Sequence, residues 1–133
     1  ENTRIMTLTK HTKPTESELE ILQVLWNEKA ATVRTVHEEL LKTKEAGYTT
    51  TLKLMQIMFE KGLVTRDDSN KTHIYQPAVT REKTQKQFLN KMIDTLFAGS
   101  SSDLVLQALG GHAASDEELE KIQLLINQLK KEK

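Results

Sequence analysis

The segment GYTTTLKLMQIMFEKGLVTRDDSNKTHIYQP, residues 47–77, constrains the fold more than any other stretch of the chain. It opens on small hydroxyl residues, runs through a long apolar helical face and stops at Gly62, a residue suited to ending a helix. Two strand-like runs follow, residues 63–66 and 73–75, joined by Asp67-Asp68-Ser69-Asn70-Lys71. Alternation in the second run predicts a half-buried edge with Ile74 inward, and Pro77 ends it without breaking a ladder. A helix followed directly by a polar-tipped hairpin is the closing half of a winged helix-turn-helix. In that fold the helix enters a DNA major groove and the hairpin lies against the neighbouring backbone. Helix plus hairpin also occurs in other α+β domains, so the turn upstream decides.

Upstream, Pro14-Thr15-Glu16-Ser17-Glu18 starts a helix. Thr15 can cap the N–H of Glu18 while the Glu18 carboxylate reaches back to the cap N–H, with acids in the favourable first turn. Leu19, Leu22, Leu25 and Trp26 then share one face. Trp26, the only tryptophan, reads as a core plug joining helix and wing, with a ligand platform as the alternative. Thr32 caps a second helix whose core face is Val33, Val36, Leu40 and Leu41, with Arg34, His37 and Glu38 turned outward. Residues 42–47 break it, and Gly47 can supply left-handed or tight backbone before the next helix. Short helix, glycine-bearing turn and longer helix make a helix-turn-helix with a slightly long turn.

On a helical wheel Tyr48, Thr51, Leu52, Leu54, Met55, Met58 and Phe59 span a broad apolar arc, and Thr49, Lys53, Gln56 and Glu60 form a narrow opposite stripe. An ordinary solvated stripe is one reading. The other is DNA recognition, because the Tyr48-Thr49-Thr50 opening, Lys53 and Gln56 can reach phosphates and base edges. Glu60 fits such contact poorly. The hairpin adds Arg66, Lys71 and His73 beside the acidic Asp67-Asp68 tip.

Beyond the hairpin the character changes, which predicts a winged domain over residues 1–79 and a helical domain over residues 80–133. A helix from Thr80 carries Phe88, Leu89, Met92, Ile93, Leu96 and Phe97. The break Ala98-Gly99-Ser100-Ser101 precedes a short apolar helix at residues 104–109, and Gly110-Gly111-His112 separates that from a capping box at Ser115 and Glu118. Leu119, Ile122, Leu125, Ile126 and Leu129 then lie on the last helix. Three helices of this length cannot bury so many large apolar side chains on themselves. At about 25 cal/mol per Å² of apolar surface, a partner is implied. Self-pairing is the simplest, and a two-fold dimer presents two recognition helices to a palindromic site. The dimer contacts are expected at Phe88, Met92, Leu96, Phe97, Leu104, Leu119, Ile122, Leu125, Ile126 and Leu129. Packing of the tail on its own winged domain is the alternative. The fold class is therefore mainly α: an N-terminal winged helix-turn-helix with a small hairpin wing, then a C-terminal three-helix dimerisation domain.

Composition narrows the function classes. The 133 residues hold 19 basic and 19 acidic side chains, and residues 1–77 hold 11 of each. That balance argues against a nonspecific nucleic-acid coat, while a specific operator binder needs only a local cluster of cations. With no cysteine, disulfides and thiol chemistry are excluded. No apolar run approaches membrane-spanning length, and residues 1–11 carry no secretion signal, so a cytoplasmic protein is expected. No nucleophile motif, phosphate loop or zinc-protease signature occurs, and His11, His37, His73 and His112 sit in separate segments as surface histidines. Neither enzymatic activity nor a cofactor or metal is expected.

The chain resembles the penicillinase-repressor family, the BlaI/MecI/CopY group of bacterial winged-helix repressors. The resemblance runs from LTKHTKPTESELEILQVLW through TVRTVHEEL, YTTTLKLMQIMFEKGLV and HIYQP to LFAGSSSDLVLQAL and DEELEKIQLLINQL. Its most specific pieces are Tyr48-Thr49-Thr50, Glu60-Lys61-Gly62-Leu63 and Phe97-Ala98-Gly99-Ser100. It implies a homodimeric repressor on an operator dyad, possessing interlocked C-terminal helices and regulating genes of β-lactam resistance or related functions. In well-known members a β-lactam-sensing membrane metalloprotease system triggers cleavage at an Asn-Phe pair in the middle helix of the dimerisation part. Gln107-Ala108 stands at the corresponding place here and departs from that pair. Copper-responsive members carry paired C-terminal cysteines, which are absent. Members often place arginine where this chain has Ile57 and threonine where it has Lys53, which implies a different operator sequence. The alternative function is a winged-helix protein-interaction module whose C-terminal helices dock onto another protein.

Overall fold

The computed structural model describes residues 13–132. The segment read for a secretion signal, with His11, lies outside the described residues. The chain divides into two compact units, residues 1–86 and 87–133, so the division falls inside one helix.

The first unit contains α1 (Glu16–Glu28), α2 (Val33–Leu40), α3 (Tyr48–Lys61), β1 (Val64–Asp67), β2 (Ile74–Pro77) and the start of α4 (Arg81–Leu96). The capping box of α1 forms as expected: Glu18 N donates to Thr15 Oγ1 at 3.2 Å, and Thr15 N donates to Glu18 Oε1 at 2.8 Å. Thr32 caps α2 through Thr35 N at 3.2 Å, and Gly62 ends α3 in the left-handed region at φ 83°. Gly47 departs from expectation. Its φ of −83° and ψ of 144° are ordinary extended backbone, so the turn into α3 needs no left-handed residue there.

The core is built from Ile21, Leu22 and Leu25 of α1, Val33, Val36 and Leu40 of α2, and Met55 and Met58 of α3, closed by Ala31, Leu63, Val64 and Tyr75. Each fully buried aliphatic side chain contributes about 1.5–3 kcal/mol. Leu41, read as a core residue, is 49% exposed because α2 ends at Leu40 and the chain turns away. Glu18 joins the interior at 2% exposed, and Lys61 Nζ donates to both its carboxylate oxygens at 2.8 Å. The start of α1 is thereby tied to the end of α3.

The strands pair antiparallel in the register Val64↔Pro77, Thr65↔Gln76, Arg66↔Tyr75 and Asp67↔Ile74. Both begin one residue later than expected, and the inward residue is Tyr75, not Ile74. Ala31 and Tyr75 exchange backbone hydrogen bonds of 3.0 and 2.8 Å, so Ala31 adds a rung on the edge of β2 away from β1. Tyr75 is consequently 1% exposed and Ile74 38% exposed. Alternation fixes only that neighbours face oppositely; the bridge to Ala31 selects which is inside. Trp26 packs on this core, but its Nε1 donates to Val79 O at 2.9 Å, so it ties α1 to the exit from the wing.

The second unit holds the rest of α4, α5 (Ser101–Gly111) and α6 (Asp116–Lys131). Ala98 at φ 51° and Gly99 at φ 86° make the break after α4. The middle helix is longer than expected. Ser100 caps it through Asp103 N at 3.2 Å, and it runs on through Gly110 and Gly111, with the break falling at His112. The capping box of α6 forms as predicted, with Glu118 N donating to Ser115 Oγ at 3.1 Å and Ser115 N to Glu118 Oε1 at 2.9 Å. No described residue of α5 or α6 is buried.

Candidate nucleic-acid interface

Burial of Thr51, Met55 and Met58 orients α3, and Thr49, Lys53, Gln56 and Glu60 consequently form an exposed stripe on its free side. Thr51 Oγ1 donates back to Gly47 O at 3.2 Å, holding the first turn. Tyr48 is exposed at the helix start, where its ring meets His37 of α2 edge-on, 5.5 Å between centroids and 84° between planes. His37 Nδ1 is buried and has no hydrogen-bond partner.

Beside the stripe lies a cleft of about 360 Å³ between α2, α3 and the wing. Tyr48, Gln56, Lys71 and His73, four of the residues singled out in the sequence, line it together. Val33, Leu52 and Tyr75 also line it, as does Arg34 from the first turn of α2. Arg34 was missed as a candidate contact. Its outward position on α2 was legible, but its neighbourhood with the wing needed the tertiary fold. Thr49, Thr50 and Lys53 instead line a shallower depression with Leu54 and Ile57.

Arg66 belongs to neither group. Its guanidinium lies over the Phe59 ring, 4.0 Å from the centroid, and its NH2 group is 3.5 Å from Asp68 Oδ2. The register puts Arg66 opposite Tyr75, on the face turned toward the core, and its Nε is buried. Arg66 therefore fastens β1 to the last turn of α3. At the wing tip Asp67 accepts hydrogen bonds from Ser69 N at 3.0 Å and Ser69 Oγ at 2.8 Å. Those bonds hold its carboxyl below the ordinary carboxylate range, so the tip stays anionic.

In the second unit, Met92, Leu96, Leu119, Leu125, Ile126 and Leu129 are exposed, and Phe88, Phe97, Leu104 and Ile122 are half-buried. Leu89, Val105, Leu106, Leu109 and Leu124 add to the exposed apolar surface. Among the described residues no three His, Asp or Glu side chains cluster so as to hold a metal ion, and no helix is long and apolar enough to cross a membrane.

The family model described as penicillinase repressor matches residues 14–128, which spans the helix-turn-helix, the wing and the C-terminal helices. The chain belongs to the penicillinase repressor family. The family is one of DNA-binding repressors and not of enzymes. Within it, the chain is 27% identical to the methicillin resistance regulatory protein MecI of Staphylococcus aureus strain N315 over 115 residues, 84% of this chain and 90% of that protein. It is 24% identical over 119 residues to the penicillinase repressor of Staphylococcus aureus, covering 86% and 91% of the two. With the penicillinase repressor of Bacillus licheniformis the identity is 20% over 118 residues, covering 89% and 92%. Among solved structures, the DNA binding domain of the repressor BlaI aligns over 50% of this chain and 82% of its own, at 22% identity and a TM-score of 0.46.

Proposed function

We propose that this penicillinase-repressor family member is a sequence-specific transcriptional repressor that binds a palindromic operator as a homodimer. The observation that carries the reading is the exposed Thr49, Lys53 and Gln56 stripe on α3, flanked by a cleft where Arg34 and Lys71 add cations from α2 and the wing. A helix with one polar face, bordered by cations from two other elements, suits a major groove between phosphate backbones. The proposed DNA contacts are Tyr48, Thr49, Thr50, Lys53, Gln56, Lys71 and His73, with Arg34 added. Arg66 is proposed to act through the wing. Uncovered apolar side chains along α4, α5 and α6 support self-pairing, which a palindromic site requires. The relatives named for methicillin resistance and penicillinase support genes of β-lactam resistance as targets. Such a repressor would work in the cytoplasm, and a regulatory protease acting in the α5 region would release it by separating the paired sites.

The balanced charge favours a second reading, a protein-interaction module that docks through its C-terminal helices. Selection of bound duplexes from a random DNA pool separates the two. The repressor reading expects an enriched site with dyad symmetry. An unenriched pool refutes it and leaves the interaction module.

A further inference from the structure

The shallow depression beside the polar stripe has a chemistry of its own. Its volume is about 190 Å³, and Thr49, Thr50, Lys53, Leu54 and Ile57 line it. Leu54 packs on the core of the winged unit, whereas Ile57 is half-buried outside that cluster. Ile57 thus keeps part of a branched side chain wet on the face of α3 that carries Lys53. Ile57 stands outside the buried core, so a polar residue there would cost less packing than at Met55 or Met58. Thr50, which also lines the depression, lies two helical turns earlier, about 10 Å along the axis. Thr49 and Lys53 belong both to the depression and to the polar stripe. Base pairs facing the stripe therefore pass within a side chain of the apolar wall.

The major groove offers one apolar group to such a wall, the 5-methyl of thymine. The depression is far too small for a protein helix but ample for a methyl group. We propose that Ile57, with the methyl of Thr50 and the aliphatic stem of Lys53, reads a thymine methyl in each half-site and so helps set the operator sequence. This inference rests on the repressor reading and adds a specificity determinant to it.

The test uses the full chain and the operator recovered by duplex selection. Each thymine is replaced in turn by deoxyuridine, which removes the methyl and keeps every hydrogen-bonding group. Binding should fall about three- to five-fold at one thymine per half-site, the loss expected for one unburied methyl. Ile57→Ala should bind the thymine operator more weakly and discriminate thymine from uracil less than two-fold at that position. Ile57→Val, which keeps the β-branch and loses only the terminal methyl, should retain most of the discrimination. Trp26 fluorescence melting identifies a variant that does not fold, and in that case the deoxyuridine scan on the natural chain decides alone. Indifference to uracil at every thymine, or an operator with no thymine facing α3, overturns the inference while the repressor reading stands. Failure to recover any operator overturns the repressor reading itself.

Discussion

Replacing Lys61 by Met should destabilise the winged unit more than any change on its DNA-facing surface. Lys61 Nζ lies 2.8 Å from both oxygens of Glu18, a carboxylate 2% exposed beneath the first turn of α1. Removing one partner of a buried pair costs about 3–5 kcal/mol, because the remaining charge stays desolvated. Two features reduce that figure here. The Lys61 side chain is 24% exposed, so water already screens the pair, and Glu18 keeps the hydrogen bond from Thr15 N. The expected loss is about 2–3 kcal/mol, which lowers Tm by roughly 10–20 °C for a domain of this size. Trp26 is the only tryptophan and lies in the winged unit, so its fluorescence reports this transition separately from the C-terminal helices. The partner change Glu18→Gln, combined with Lys61→Met, removes both charges and should be less damaging than the two single effects added, by at least about 1 kcal/mol. A Lys61→Met protein melting within about 3 °C of the natural chain, or a double variant whose loss is strictly additive, would refute the reasoning.

Sedimentation equilibrium at micromolar concentration should find the full chain dimeric and a fragment of residues 1–86 monomeric; a monomeric full chain contradicts the role given to α4, α5 and α6. Lys53→Ala or Gln56→Ala should weaken operator binding by about 1–3 kcal/mol in fluorescence anisotropy, with little change on a scrambled duplex. Lys71→Ala should weaken both duplexes alike and reduce the salt slope by about one. Arg66→Ala should instead lower the melting temperature of the winged unit, since its guanidinium rests on Phe59. Glu118 should titrate below the ordinary carboxylate range by carbon NMR, because its carboxylate is hydrogen bonded by the backbone N–H and the side chain of Ser115. With the folded value depressed, that stabilisation is present above the unfolded pKa and is lost as pH falls through the folded one. Helical circular dichroism from α6 should therefore decline at acid pH in the natural chain, and Glu118→Gln should blunt the decline.

Local chemistry makes much of this protein legible in its sequence. Capping boxes at Thr15 and Ser115, the cap at Thr32 and the glycine stop at Gly62 are each set by residues within four positions of one another. Periodicity found the buried centre of α3 at Thr51, Met55 and Met58, and so its exposed stripe, but Tyr48 and Phe59 at the rim of the apolar arc stay exposed. The surplus of apolar side chains after the wing was a matter of counting, and they remain uncovered in the second unit.

What escaped the sequence involved contacts between distant segments. Ile74 and Tyr75 alternate equally well in either phase, and only the backbone bridge from Ala31 buries the tyrosine. Arg66 has the formula of a phosphate ligand, yet the register of the hairpin turns it onto Phe59. Glu18 could be read as a cap, but its burial against Lys61 depends on how α1 crosses the end of α3. Arg34 looked like a solvated charge until the fold set it beside Lys71 and His73. Short-range hydrogen bonds and apolar period determine which elements form, since both act within a few residues. The face a side chain finally presents, and the charge it meets there, depend on docking between elements tens of residues apart, which no local pattern encodes.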